Sequence, residues 1–261
     1  MVSVSTCSSW LRRKNGIVDP RLCDWLLKQN FARVCATESP FASQRLGGQT
    51  VLNCADAEKS ESMISSEDLS CLVLCGGQGS RLGHADKPLL EFNREGQSKP
   101  MVDHVLATLP KHTPTLISAN RNHQRYARRG KVVGDDECDL QVFGPLAGVY
   151  AALRQLDSPW LLVCPGDMPL LPQGWYEPLL ATHPEQATLL HDGQRLQPLL
   201  CCLPQQASAS LRRYLEEGKY SVKAWLKQIG AAVVPAHGSV TANARYYQNI
   251  NSPEDWYRAS P

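Results

Sequence analysis

Four glycines, Gly76, Gly77, Gly79 and Gly83, surround Arg81 in the stretch LCGGQGSRLGHADKPLL (residues 74–90), and Lys87 follows them. A glycine loop after a strand turns its backbone N–H groups into an anion-binding concavity. Arginine clamps phosphate with two parallel bonds, and lysine adds a compact charge. The loop therefore points to a phosphate-bearing ligand. A second candidate is Asp167, in CPGDMP (164–169), just beyond the apolar run WLLVC (160–164). A carboxylate at a strand end, beside phosphates, is where Mg²⁺ would be held with several waters retained. The competing reading of Asp167 is a helix N-cap.

Spacing excludes the two familiar phosphate loops. A P-loop ends in Gly-Lys-Ser/Thr, whereas Gly83 is followed by His84. Gly77, Gly79 and Gly83 give G-x-G-x-x-x-G, one residue longer than the dinucleotide fingerprint. The seven histidines show no metal spacing, and His191, in HDG, reads as structural. No Ser-His-Asp or Cys-His constellation is recognisable.

The elements that must position these groups are short apolar runs alternating with helical patterns. Strands are predicted at CLVLC (71–75), TLISA (115–119), WLLVC (160–164), ATLL (187–190), PLLCC (198–202) and AAVV (231–234). Helices are predicted for MVDHVLATLPK, GPLAGVYAALRQL, SASLRRYLEEG, SVKAWLKQIG and SPEDWYRA. The last opens with Ser252 as N-cap and Pro253 at the first helical position. This alternation indicates an α/β, three-layer fold, a mostly parallel sheet with helices on both faces. Ligands in such sheets bind beyond the carboxyl ends of the strands, where the glycine loop and Asp167 fall.

The remaining composition narrows the class. A net charge of +2 over 261 residues gives no nucleic-acid-coating surface, and no apolar stretch is long enough to span a bilayer. The N-terminus lacks the apolar core of a signal peptide, which leads to a cytoplasmic expectation. The ten cysteines contain no CxxC pair and read as reduced thiols, most of them small buried hydrophobes. Residues 1–67 are expected to be an N-terminal extension and residues 68–261 the functional domain. The extension carries no recognisable chemistry, and ADAEKSESMISSED (55–68) reads as a linker. It is either a small accessory element or sequence ahead of the true start, for which Met63 is a candidate.

The glycine stretch resembles the signature of the molybdenum cofactor guanylyltransferase (MobA) family, L-A-G-G-x-x-x-R-M-G followed by a lysine. Cys75 stands in for its alanine and Leu82 for its methionine. The resemblance continues in order through ISANR (117–121), VVGDD (132–136), GPLAGVYAAL (144–153), CPGDMP, HDGQRLQPL (191–199) and NINSPEDW (249–256). Gly166 replaces a frequent family cysteine. Coverage is about residues 69–258, and residues 1–67 lie outside it.

The resemblance implies a Rossmann-like nucleotidyltransferase fold and the transfer of GMP from GTP to molybdopterin, free or molybdenum-bound. Leu74, Cys75, Gly76 and Gly77 would line the nucleotide with backbone atoms, and Arg81, Lys87 and Asp167 would carry the chemistry. Asn120 would hydrogen-bond the nucleotide or cap a turn. Asp135 or its neighbour Asp136 would contact the base or ribose. Gly144, Pro145, Asn249 and Asn251 would lie toward the molybdopterin. Mg²⁺ is the implied cofactor, with Asp167 its ligand. Molybdenum-insertion proteins, apo-molybdoenzymes or their chaperones are implied partners; nucleic acid and membranes are not. A CTP-dependent enzyme of the same fold and a non-catalytic binding module are the alternatives.

Overall fold

The computed structural model describes residues 64–76, 86–134, 139–140, 142–181, 186–236, 245–252 and 255–256. In chain order its strands and helices are β1 (Leu69–Leu74), β2 (Glu91–Arg94), β3 (Gln97–Pro100), α1 (Met101–Leu106), β4 (Thr115–Ser118), α2 (His123–Tyr126) and β5 (Lys131–Val133). There follow α3 (Pro145–Arg154), β6 (Trp160–Pro165), α4 (Glu177–Leu180), β7 (Thr188–His191), β8 (Leu196–Pro204), α5 (Ala207–Glu216), α6 (Val222–Gln228) and β9 (Ala232–Pro235). Single 3₁₀ turns occupy Ser66–Asp68 and Lys87–Leu89.

All six residues of β1 and all six of β6 are buried, which requires cover on both faces. A seven-stranded sheet in the order β5-β4-β1-β6-β8-β7-β9 meets that requirement. Strands β5, β4, β1 and β6 are mutually parallel. Strand β8 runs antiparallel to β6 and β7, and β7 pairs in parallel with β9. Alternate residues of β1 feed two separate cores. Leu69, Cys71 and Val73 pack with Val102, Val105 and Leu179 on one face. Leu72 and Leu74 pack with Leu146, Val149, Tyr214 and Trp225 on the other. The three-layer, mostly parallel architecture expected from the alternation is the one found.

The six expected strands form within a residue or two of their expected ends. Helix α1 stops at Leu106 rather than continuing to Lys111. The Thr108 hydroxyl donates to Val105 O at 2.8 Å, competing with the helical ladder, and Pro110 follows. Four features were not expected: β5, α2, α4 and the β2–β3 hairpin. The hairpin is polar on most of its surface, so it carries little apolar pattern. Its two-residue loop places Glu95 (φ 54°) and Gly96 (φ 79°) in the left-handed region, the conformation that matches strand twist in a tight hairpin.

The five described cysteines, Cys71, Cys75, Cys164, Cys201 and Cys202, are free and buried. Burial pushes the Cys71 and Cys201 thiols up to about 12, so they behave as inert hydrophobes. No helix among the described residues is long and apolar enough to cross a membrane.

Candidate active site

The carboxyl ends of β1, β4 and β6 are laced together by their backbones. Cys75 N–H donates to Ser118 O at 2.8 Å and Gly166 N–H to Leu74 O at 2.9 Å. These two bonds fix where the glycine loop leaves β1. A Cβ on Gly76 would lie 3.7 Å from Asn120 Nδ2 and 3.9 Å from Ser118 Oγ. Asn120 thus stands beside the loop's first glycine. On the far side, a Cβ on Gly148 would fall 2.2 Å from Ser118 Oγ. Only glycine lets the first turns of α3 come so close to β4. Gly144 caps this helix and Pro145 occupies its first turn, with fixed φ suited to a helix start. Leu74 and Cys75 are buried at the carboxyl end of β1. Gly77, Arg81 and Asp135, with Asp136, lie outside the described residues.

Lys87 opens its 3₁₀ turn with Pro88 behind it, and the preceding residue is pinned. The Asp86 carboxylate is buried and accepts from Asn122 Nδ2 and Tyr126 Oη, both at 2.8 Å. Arg121 Nε lies 3.8 Å from it. This latch ties the far end of the glycine stretch to the segment after β4 and so sets the position of Lys87. Sequence reasoning passed over Asp86, because a polar residue between a glycine loop and a lysine carries no sign of burial.

From there Lys87 Nζ reaches Asp167 Oδ2 at 3.2 Å and Asn251 Oδ1 at 2.7 Å. Asn249 Nδ2 donates to Asp167 Oδ1 at 2.7 Å. Between the two asparagines, Ile250 N–H donates to Asp167 O at 3.0 Å. The Ile250 side chain packs with Phe92, Met101 and Leu170 in a small separate core. One buried residue between two site-facing ones is the alternation of an extended segment. Arg94 Nη1 donates to Pro169 O and Leu171 O at 3.0 and 3.1 Å, holding the loop beyond Asp167. The resemblance implies that Asn249 and Asn251 lie toward the molybdopterin, and both also contact the Lys87–Asp167 pair.

Just after them, Ser252 Oγ accepts from Asp255 N–H at 3.2 Å while Asp255 Oδ2 accepts from Ser252 N–H at 3.0 Å. This reciprocal cap bears out Ser252 as a helix N-cap; Pro253 lies outside the described residues. His191 Nδ1 accepts from Gly193 N–H at 3.0 Å, which fits its structural reading.

Among the described residues no cluster of three or more His, Cys, Asp or Glu side chains gathers. Asp167 presents a single carboxylate, 17% exposed, just beyond the end of a parallel strand, in no such cluster among the described residues. A single carboxylate fits a small hard cation that keeps its waters and shares the phosphates of a bound nucleotide, and does not fit an all-protein metal cage.

A mostly parallel sheet with a Lys–Asp pair beyond its strand ends is the arrangement of a nucleotidyltransferase. Residues 71–233 match the family described as the MobA-like NTP transferase domain, and the chain belongs to that family. It is 34% identical over 196 residues to the molybdenum cofactor guanylyltransferase of Photobacterium profundum, covering 74% of this chain and 96% of that one. It is 36% identical over 193 residues to the molybdenum cofactor guanylyltransferase of Pseudomonas syringae pv. tomato, covering 70% and 89%. Among solved structures, molybdopterin-guanine dinucleotide biosynthesis protein A from Archaeoglobus fulgidus superposes with a TM-score of 0.57 at 23% identity, covering 73% of this chain and 96% of that one. The inositol-1-phosphate CTP transferase from T. maritima superposes at 0.53 with 12% identity, covering 71% and 90%. At these identities the two structures speak for the fold.

Proposed function

We propose that this protein transfers GMP from GTP to the terminal phosphate of molybdopterin, free or molybdenum-bound, releasing pyrophosphate and forming the guanine dinucleotide. The observation that carries the reading is the meeting of Lys87, Asp167, Asn249 and Asn251 at the strand ends. It occurs in a chain that matches nearly the whole length of a guanylyltransferase relative.

In this reading an oxygen of the acceptor phosphate forms a bond to the α-phosphorus of GTP. The bond from that phosphorus to the bridging oxygen breaks, and pyrophosphate carries the electron pair away. A phosphomonoester is largely dianionic at neutral pH, so the acceptor needs no general base. What remains is alignment and charge neutralisation. The backbone of Leu74, Cys75, Gly76 and Gly77 would line the nucleotide, with Asn120 beside it, and Asp135 or Asp136 would contact the base or ribose. Lys87 and Arg81 would supply positive charge to the phosphates. Gly144, Pro145, Asn249 and Asn251 would lie toward the molybdopterin. Asp167 would hold Mg²⁺, which supplies charge neutralisation between the phosphates when bound.

The test incubates the purified protein with Mg²⁺ and molybdenum-loaded molybdopterin, with GTP or CTP in separate reactions, and identifies the dinucleotide by chromatography. Product with GTP alone is expected. Product with CTP alone moves the protein to cytidylyl transfer, and product with neither from a folded chain overturns the enzymatic reading.

A further inference from the structure

The turn between β7 and β8 is built around a carboxylate that the proposed transfer does not use. Asp192 is 1% exposed. Its Oδ1 accepts from the N–H groups of Gln194 and Arg195, both at 2.8 Å, and its Oδ2 accepts from Gln197 Nε2 at 2.7 Å. Arg195 Nε stands 3.7 Å away. Such a carboxylate is tolerated in the interior because both of its oxygens accept hydrogen bonds.

Gln197 is also buried, and the same Nε2 donates a second bond, at 3.0 Å, to Tyr247 O. One amide nitrogen thus joins the hairpin turn to the segment that reaches Asn249 two residues later. That segment is the one whose Asn249 and Ile250 bond to Asp167 and whose Asn251 accepts from Lys87. A polar cavity of about 420 Å³ lies between the joined elements, lined by Arg195, Gln197, Gln248, Asn249 and Asn251.

An amide has a polarity: its nitrogen only donates and its oxygen only accepts. Gln197 can grip Tyr247 O only with its nitrogen on that side. An ionised carboxylate, which has no proton to offer, enforces this orientation. We propose that Asp192 is a positioning residue: by orienting the Gln197 amide it fixes the register in which residues 247–251 present Asn249 and Asn251 to Asp167 and Lys87. Its kinetic consequence rests on the guanylyl-transfer reading.

Asp192→Asn separates this role from turn formation. The asparagine oxygen still accepts the two turn N–H groups. Its nitrogen, however, now faces the Gln197 nitrogen. If the Gln197 amide turns over, its oxygen meets Tyr247 O instead, so the grip fails in either orientation. The expected result is faster hydrogen exchange at the Ile250 amide and a turnover lowered about 10- to 100-fold, the scale of an ångström of misplacement. The KM for GTP shifts less than turnover does, since Gly76 and Asn120 sit at other strand ends.

Gln197→Met, nearly isosteric, should reproduce both effects. The double variant should be no worse than either single one, because both act through one bond. Unchanged Ile250 exchange in Asp192→Asn, or additive losses of turnover in the cycle, would overturn the proposal. If the wild-type chain makes no dinucleotide, the transfer reading has failed, and the Ile250 exchange still decides the positioning role.

Discussion

Lys87 Nζ lies 3.2 Å from Asp167 Oδ2, across a separation of 80 residues. The two side chains are 20% and 17% exposed, so the pair is sheltered but still reached by water. Asn251 holds Lys87 from one side and Asn249 holds Asp167 from the other. Removing the carboxylate leaves Lys87 with an acceptor and with solvent, so the fold should survive. Asp167→Ala is expected to cost about 1–2 kcal/mol, a few degrees in Tm. Dinucleotide formation should fall by about 100-fold or more, the scale of losing one preorganised electrostatic group. Normal turnover in a folded Asp167→Ala protein would remove Asp167 from the chemistry.

Cys75 and Gly166 are the second pair. A Cβ on Gly166 would sit 2.6 Å from Cys75 Sγ, with Leu74 O and Pro88 Cβ each at 3.3 Å. In the signature the chain resembles, alanine stands at position 75 and cysteine is frequent at 166. The two departures from that pattern touch, and a single thiol occupies the space between them. Gly166→Ala alone is expected to destabilise by about 1–3 kcal/mol through overpacking. In a Cys75→Ala background the same change should cost about 1 kcal/mol less, which urea unfolding of the four proteins of the cycle would measure. Strictly additive costs would mean the two positions do not share the space.

The pair also illustrates what the sequence made legible. The apolar runs at 71–75 and 160–164 predicted fully buried parallel strands, and a residue just beyond such a run must stand at a sheet's carboxyl end. Asp167 was therefore readable. Asp86, Asp192 and Gln197 were not, because each is a polar residue in a polar stretch whose burial comes entirely from distant partners. Asp86 is satisfied from Asn122 and Tyr126, and Gln197 from Asp192 and Tyr247. Local pattern carries no trace of these pairings. The approach of α3 to β4 was likewise hidden, since GPLAG signals a helix start but not that Gly148 abuts Ser118.

His104 gives the protein a pH-dependent stability. Its ring is buried beneath the β2–β3 hairpin, edge-on to Phe92, with Nε2 2.9 Å from Phe92 O. Burial holds its pKa below the usual 6.5, and Lys99 and Arg94 push the same way, against the Phe92 hydrogen bond and Asp103. Burial also lowers His191. An unfolded chain takes these protons more readily than the folded one. The stability they contribute is therefore present above about pH 6.5 and is lost as the pH falls below it. Tm should drop between about pH 7.5 and about pH 5.5, and less steeply in His104→Gln, whose amide can still donate to Phe92 O. Equal slopes in the two proteins would show that His104 is not linked to folding.

Ile64 is the first described residue, and it is already tied to the functional domain. Its N–H donates to Leu180 O at 3.1 Å, and its side chain is 8% exposed in the core that holds Leu69, Val73 and Leu179. Ser65 Oγ then accepts from Glu67 N–H, capping the turn that feeds β1. A chain beginning at Met63 keeps all of these contacts and should fold and transfer GMP as the full chain does. A chain beginning at Ser66 loses the isoleucine anchor and the cap together. It should be less stable by about 2–4 kcal/mol, from one large apolar side chain and one cap. Urea midpoints and dinucleotide yields of the three chains would measure both effects. An inactive or insoluble protein starting at Met63 would show that residues 1–62 belong to the working domain.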